Sequence, residues 1–169
     1  MLFNSIEFGF FLVLSFSLYW FVYNRNVKSR NLFLLVISYI FYGWWDWRFL
    51  SLLIYSSAID YFIANKIYSA STASSKKRFL LISLITNLGL LGVFKYFNFF
   101  SESFVHVLQA MGFQPDTITL NVILPVGISF YTFQTLSYTI DVYRDKLKPA
   151  DDWIQFFTYV TFFPQLVAG

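Results

Sequence analysis

Leu124-Pro125-Val126-Gly127-Ile128-Ser129-Phe130-Tyr131-Thr132-Phe133-Gln134-Thr135-Leu136-Ser137-Tyr138-Thr139-Ile140-Asp141-Val142-Tyr143-Arg144 is apolar enough for hydrocarbon, yet it carries hydroxyls throughout and one amide. On a helix of 3.6 residues per turn, Tyr131, Gln134, Thr135, Tyr138 and Asp141 fall on one side, and Phe130, Phe133, Leu136 and Ile140 on the other. One face suits lipid and the other a polar interior. Pro125 and Gly127 loosen the backbone at the start, which a bilayer tolerates only where protein or a water-filled cavity satisfies the freed groups. Two readings are open: Tyr131, Gln134, Thr135 and Tyr138 line a polar cavity, or they join helices by hydrogen bonds, as such groups commonly do inside membranes.

The rest of the chain is built to match. Hydrophobic residues make up 57% of the 169, aromatics 24% and charged residues only 12%, too few polar groups to cover a water-soluble surface. Twenty-three Phe, twelve Tyr and five Trp exceed what one compact core needs, but they suit lipid-facing helices with aromatic belts. Apolar blocks occupy residues 6–23, 31–45, 49–67, 79–100, 121–140 and 153–169. Most are near membrane length, so the expected fold is an all-α, multi-span transmembrane helical bundle forming a single membrane domain. The first block has no preceding Lys or Arg and no small-residue cleavage site after it, and reads as a retained span rather than a signal peptide. The last block reaches Gly169 without a flanking charge, which reads as an interrupted chain.

Charge placement predicts sidedness. Arg25, Lys28 and Arg30 share one loop; Lys76, Lys77 and Arg78 end the Ser/Ala/Thr-rich connection 69–78; Arg144, Lys146 and Lys148 occupy 141–152. The turn around Asp46 has only Arg48, and the connection 101–119 has neither Lys nor Arg. Basic loops thus alternate with basic-poor ones, which places the basic loops in the cytoplasm and the N-terminus outside, provided 121–140 crosses fully rather than dipping back. A net charge of +3, dispersed along the chain, is no nucleic-acid footprint.

Few residues offer chemistry. Cysteine is absent, which removes disulfides and thiolate nucleophiles, and a single histidine cannot assemble a histidine metal cluster. Asp60 lies deep in the third block, where an ionisable group is costly unless paired or wetted; it is a functional candidate or a structural hydrogen-bonding group. Lys95 can snorkel to the interface. His106, in the connection 101–119, has no evident orienting partner and reads as a surface residue. Asp141 and Arg144 have the spacing of an i, i+3 pair at a membrane exit. No nucleophile elbow or phosphate-binding glycine loop is present.

The quoted segment, together with Phe162-Phe163-Pro164-Gln165-Leu166-Val167-Ala168-Gly169 downstream, resembles the signature of membrane-bound O-acyltransferases, specifically their bacterial alginate O-acetyltransferase branch. Met1-Leu2-Phe3-Asn4-Ser5, Phe41-Tyr42-Gly43-Trp44 and Phe94-Lys95-Tyr96-Phe97-Asn98-Phe99-Phe100 resemble that branch in the same order. The resemblance implies the N-terminal part of a helical bundle in the bacterial inner membrane. In such a bundle an acyl thioester donor such as acetyl-CoA supplies acetyl groups to hydroxyls of a cell-surface polysaccharide such as alginate, with accessory acetylation proteins outside. It also implies that the catalytic histidine lies beyond residue 169, so that His106 does not inherit the role and this stretch alone is inactive. A transporter or channel module, or a non-catalytic membrane scaffold, remains the alternative reading of the polar face and Asp60.

Overall fold

The computed structural model describes residues 5–21, 26–112, 125 and 127–168, and among these every regular element is helical. In chain order they are α1 (Ile6–Phe21), α2 (Val27–Ser69), α3 (Ala73–Ala110), α4 (Ile128–Tyr143), α5 (Trp153–Thr161) and α6 (Phe163–Ala168).

The apolar blocks and the helices do not share all their boundaries. Blocks 31–45 and 49–67 both lie on α2, which starts at Asn26, whose side chain accepts the Lys28 N–H at 3.0 Å. They are separated by one extended residue, Asp46 (φ −159°, ψ 111°). Its carboxylate takes the Arg48 backbone N–H at 2.9 Å and the Arg48 guanidinium at 2.7–3.2 Å, so the break is held by its own local chelate. The connection expected over 69–78 shrinks to three residues, because Thr72 Oγ1 accepts the Ser75 N–H at 3.2 Å and starts α3 at Ala73. Lys76, Lys77 and Arg78 therefore ride on helix rather than loop. At its far end α3 continues to Ala110, so most of the connection expected over 101–119 is helical where it is described, and His106 stands exposed on α3.

The last block is two short helices. Pro164 has no N–H to give the Val160 carbonyl, and its ring would crowd that carbonyl if α5 continued, so the chain turns at Phe162 and Pro164 falls in the first turn of α6. Nine residues of α5 rise only about 14 Å, half of what a hydrocarbon core needs. α4 begins at Ile128; residues 121–124 of the fifth block lie outside the described residues.

α2 is the trunk on which α3, α4 and α5 pack, and α4 also lies against α3. The spacing explains this. Leu53, Ser56, Ser57, Asp60, Ala64 and Ile67 lie on one side of the helix and are all buried, giving α2 one narrow face on which small and polar side chains stand between Leu53 and Ile67. Ser83, Asn87 and Leu91 form the corresponding face of α3. α1 is held differently, by packed rings: Phe8 and Phe11 lie 5.9 and 5.7 Å from Phe41, and Phe11 lies 5.4 Å from Phe163 of α6.

Among the described residues, one helical stretch, Ala73–Phe97, is long and apolar enough to cross a bilayer unaided; α1 is apolar but shorter. Large apolar side chains stand outward on several helices, Phe21 at 81% exposure, Trp47 at 75% and Ile85 at 71% among them.

Candidate functional site

Asp60 is completely buried, and the structure builds a polar node around it from three helices. Ser83 Oγ donates to Oδ1 at 2.5 Å, and Asn87 Nδ2 donates to Oδ1 and Oδ2 at 3.0 and 2.8 Å. Ser56 Oγ in turn donates to Asn87 Oδ1 at 2.5 Å, fixing the amide's orientation. From α4, the hydroxyls of Thr135 and Thr139 bear on the same carboxyl. Thr135 donates to the Thr132 carbonyl at 3.1 Å, while the buried Thr139 Oγ1 makes no hydrogen bond of ordinary geometry among the described residues. No Lys or Arg pairs with Asp60 among the described residues, so dipoles and hydroxyls alone compensate its removal from water. Beside the node, between Ser56, Asn87, Ile128, Tyr131 and Thr132, a void of about 10 Å³ has room for one water at most.

α4 is enclosed on more of its circumference than a two-faced helix would be. Tyr131, Gln134, Thr135 and Tyr138 are all buried, in agreement with the polar side drawn from the sequence. Leu136, drawn on the lipid side, is also buried, as are Thr132 and Thr139, whereas Phe133 is exposed. Contact with α2, α3 and α5 is the cause. The start of α4 is set by Gly127, which has φ +75° and whose absent Cβ would lie 2.5 Å from the Leu166 carbonyl oxygen of α6. Both the left-handed backbone and the close approach exclude any other residue without movement.

Gln134 and Tyr138 each tie α4 to a later part of the chain. Because the chain breaks after α5, the Phe163 N–H donates to Ser38 Oγ at 3.2 Å instead of to the Tyr159 carbonyl four residues back. Gln134 Nε2 donates to that carbonyl at 3.0 Å and so caps the end of α5, while Gln134 Oε1 is buried with no hydrogen-bond partner among the described residues. The Tyr138 hydroxyl accepts the Ala150 N–H at 2.9 Å and its ring lies 4.6 Å from Phe156. Tyr138 also lines an open cleft of about 380 Å³, together with Asp141, Lys148, Gln155 and Tyr159.

Asp141 and Arg144 form no ion pair with each other: α4 ends at Tyr143, Arg144 is its exposed cap, and Asp141 turns to the cleft. The longer-range pairs are Lys76 with Asp145 at 2.9 Å and Lys28 with Asp152 at 3.3 Å. They bring the segments around 28, 76 and 145–152 to one end of the molecule. The Ile154 N–H and then Lys28 hold the Asp152 carboxyl below the ordinary carboxylate range, as the Arg48 guanidinium does for Asp46. His106 has no carboxylate partner among the described residues, and no group of three or more His, Cys, Asp or Glu side chains there is arranged to hold a metal.

Sequence reasoning singled out Asp60 but missed Ser56, Ser83, Asn87 and Thr139. A signal was available, since Ser56 and Asp60, and Ser83 and Asn87, are i, i+4 pairs inside apolar blocks, but it marks only that each pair shares a face.

Similarity to known proteins runs through all of these elements. The probable alginate O-acetylase of Pseudomonas syringae pv. tomato is 42% identical over 171 aligned residues, covering 100% of this chain and 32% of that protein. That of Pseudomonas aeruginosa is 39% identical over the same share of each. The chain is a relative of these O-acetylases. The peptidoglycan O-acetyltransferase of Helicobacter pylori is more distant, 33% identical over 196 aligned residues, with 100% of this chain and 36% of that protein covered. The chain thus spans about a third of the length of the curated relatives it matches. No family model matches it, and no solved structure does. α4 contributes to both places: Thr135 and Thr139 lie beside the Asp60 node, and Tyr138 and Asp141 line the cleft.

Proposed function

We propose that this chain is part of a multi-span inner-membrane O-acetyltransferase that moves acetyl groups from a thioester donor such as acetyl-CoA to hydroxyls of a cell-surface polysaccharide such as alginate. Similarity over the whole of this chain, at 33–42% identity, to about a third of proteins named as alginate O-acetylases and a peptidoglycan O-acetyltransferase carries this reading. The bilayer part rests on the outward-standing Phe, Trp and Ile side chains, which would be an aggregation hazard in water, and on the span Ala73–Phe97. The linked basic ends around Lys28, Lys76 and Lys148 face the cytoplasm, so the N-terminus lies outside, and accessory proteins receive or place the acetyl group there.

In this reading the Asp60 node is the rigid frame, and the Tyr138 cleft, open at the basic end, is where the donor enters. The buried Gln134 Oε1, without a hydrogen-bond partner among the described residues, is a group that can accept a hydrogen bond along the acyl path. The base that takes the hydroxyl proton is a histidine of the complete protein outside residues 1–169, because His106 is exposed and unoriented. A conducting module is disfavoured: donors close the node and the adjoining void holds one water at most.

The test is acetyl incorporation into exopolysaccharide by the full-length protein in cells. Gln134→Ala and Tyr138→Phe are expected to lower incorporation while leaving the protein in the membrane. Unchanged incorporation in both variants removes these residues from the acyl path, and absence of acetylation by the wild-type protein removes the activity.

A further inference from the structure

α1 and the first part of α2 form an antiparallel pair that is closed at one end and open at the other. Phe8 meets Phe41 at the closed end, and the register carries Tyr19 to Arg30 at the other, where the guanidinium carbon lies 5.8 Å from the Tyr19 ring centroid. Between these points the helices separate, and α6 closes the back. The resulting cleft has a volume of about 330 Å³ and is lined by Leu12, Phe16, Tyr19, Leu34, Ile37 and Phe163, with other apolar neighbours. From Leu12 to Trp20, which also lines it, the cleft follows α1 for about 12 Å, eight residues of helical rise.

The chemistry of this cleft is graded. Its walls are apolar, and the polar side chains on them are Ser15 midway and Tyr19 near the mouth. Beyond Tyr19 stands Arg30, half-buried, with no carboxylate facing it among the described residues, whereas its neighbour Lys28 is paired with Asp152. A cation left unpaired at the end of an apolar slot, beside Tyr and Trp rings of the kind that sit at membrane interfaces, is complementary to a long apolar chain ending in an anion. The guanidinium also presents a fork of donors that suits phosphate oxygens better than a point charge does.

We propose that the α1/α2/α6 cleft binds an anionic glycerophospholipid, one acyl chain lying along Leu12, Phe16 and Leu34 and the headgroup phosphate on Arg30. The lipid completes the packing of α1, which the described residues leave open. The site goes beyond acetyl transfer and rests only on the membrane placement proposed above.

Native mass spectrometry of the full-length protein, released from nanodiscs of equal phosphatidylglycerol and phosphatidylcholine, tests this. The wild-type protein is expected to retain one phosphatidylglycerol in preference to phosphatidylcholine. Arg30→Gln should reduce that preference about fivefold or more, as loss of a charge-assisted contact implies, and Leu12→Trp, which fills the slot from an exposed position, should remove the adduct of either lipid. Equal retention of the two lipids by the wild type overturns the proposal, as does an adduct unchanged in Arg30→Gln. If Leu12→Trp fails to incorporate, the Arg30 comparison decides alone, because that residue lies outside the spans. Failure of the wild-type protein to incorporate into nanodiscs would instead defeat the membrane placement.

Discussion

The two parts of α2, before and after Asp46, are held on their α1 and α3/α4 sides by different physics. On the α3/α4 side, Asp60, Ser83, Asn87 and Ser56 interlock through hydrogen bonds between helices, amid packed Leu53, Ile67, Leu91, Ile128 and Tyr131. On the α1 side phenylalanine rings make the contact at one end, and a cleft opens at the other. Lipid tails solvate an apolar helix as well as a neighbouring helix does, so apolar faces have little reason to close in a bilayer, whereas polar groups gain by finding one another. The side whose hydrophobic cluster is crossed by hydrogen bonds between helices is therefore the tighter one, and the side joined by rings alone is the looser.

The strongest way to break this contrast is Asp60→Ala, which strands the Ser83 hydroxyl and the Asn87 amide in a dry interior. A loss of about 3 kcal/mol is expected in unfolding of the detergent-solubilised full-length protein by a denaturing detergent, since the penalty of several unpaired buried groups is involved. Replacing Asp60, Ser83 and Asn87 together by apolar residues of similar volume should recover much of that loss. No recovery would mean that the carboxyl itself is needed.

Next in size is Gly127→Ala, which forces a left-handed alanine and a methyl group against the Leu166 carbonyl. Backbone strain alone is worth about 1–2 kcal/mol, and relief of the clash must shift α6, so the expected readout is earlier proteolysis at the α5–α6 break as well as lower stability. An unchanged digestion pattern would show that α6 does not rest on Gly127.

On the other side of the trunk, Phe16→Ala removes a ring that is 64% exposed and should cost less than about 0.5 kcal/mol in the same unfolding assay, because lipid or detergent already surrounds it. A loss near that of Asp60→Ala would erase the difference between the two sides.

Smallest is the response to acid. Asp46 and Asp152 titrate below their ordinary values when folded, so their pairings contribute fully above the unfolded carboxylate value and are lost as the pH falls through the folded one. Both carboxyls are partly buried but pair with exposed cations, which solvent screens, so a thermal melt should shift only slightly between neutral pH and pH values below the ordinary carboxylate range. Lys28→Met should remove the Asp152 part of that shift; an undiminished shift would assign it elsewhere.

Much of the site was legible along the chain. Tyr131, Gln134, Thr135 and Tyr138 share a buried side because 3.6-residue periodicity is local, and Asp60 stood out because a carboxyl inside an apolar block is rare. What escaped was which side chains meet. Asp141 and Arg144 have ideal spacing for a pair, but the helix ends between them, and the ion pairs actually formed reach across to Lys28 and Lys76. Ser83 and Asn87 look like ordinary polar insertions until α3 is laid against α2.

By itself the sequence determined the helical class, the apolar composition and the relationship to O-acetylases, since each depends on residue type and near neighbours. Only the tertiary structure decided that Asp60 is satisfied without a cation, that Gln134 caps α5, that Gly127 touches α6 and that α1 leaves a cleft. The hydrogen bonds of Asp60 and Gln134 join residues 23 to 27 positions apart. Their energies depend on distances between helices, which no pattern along one helix encodes.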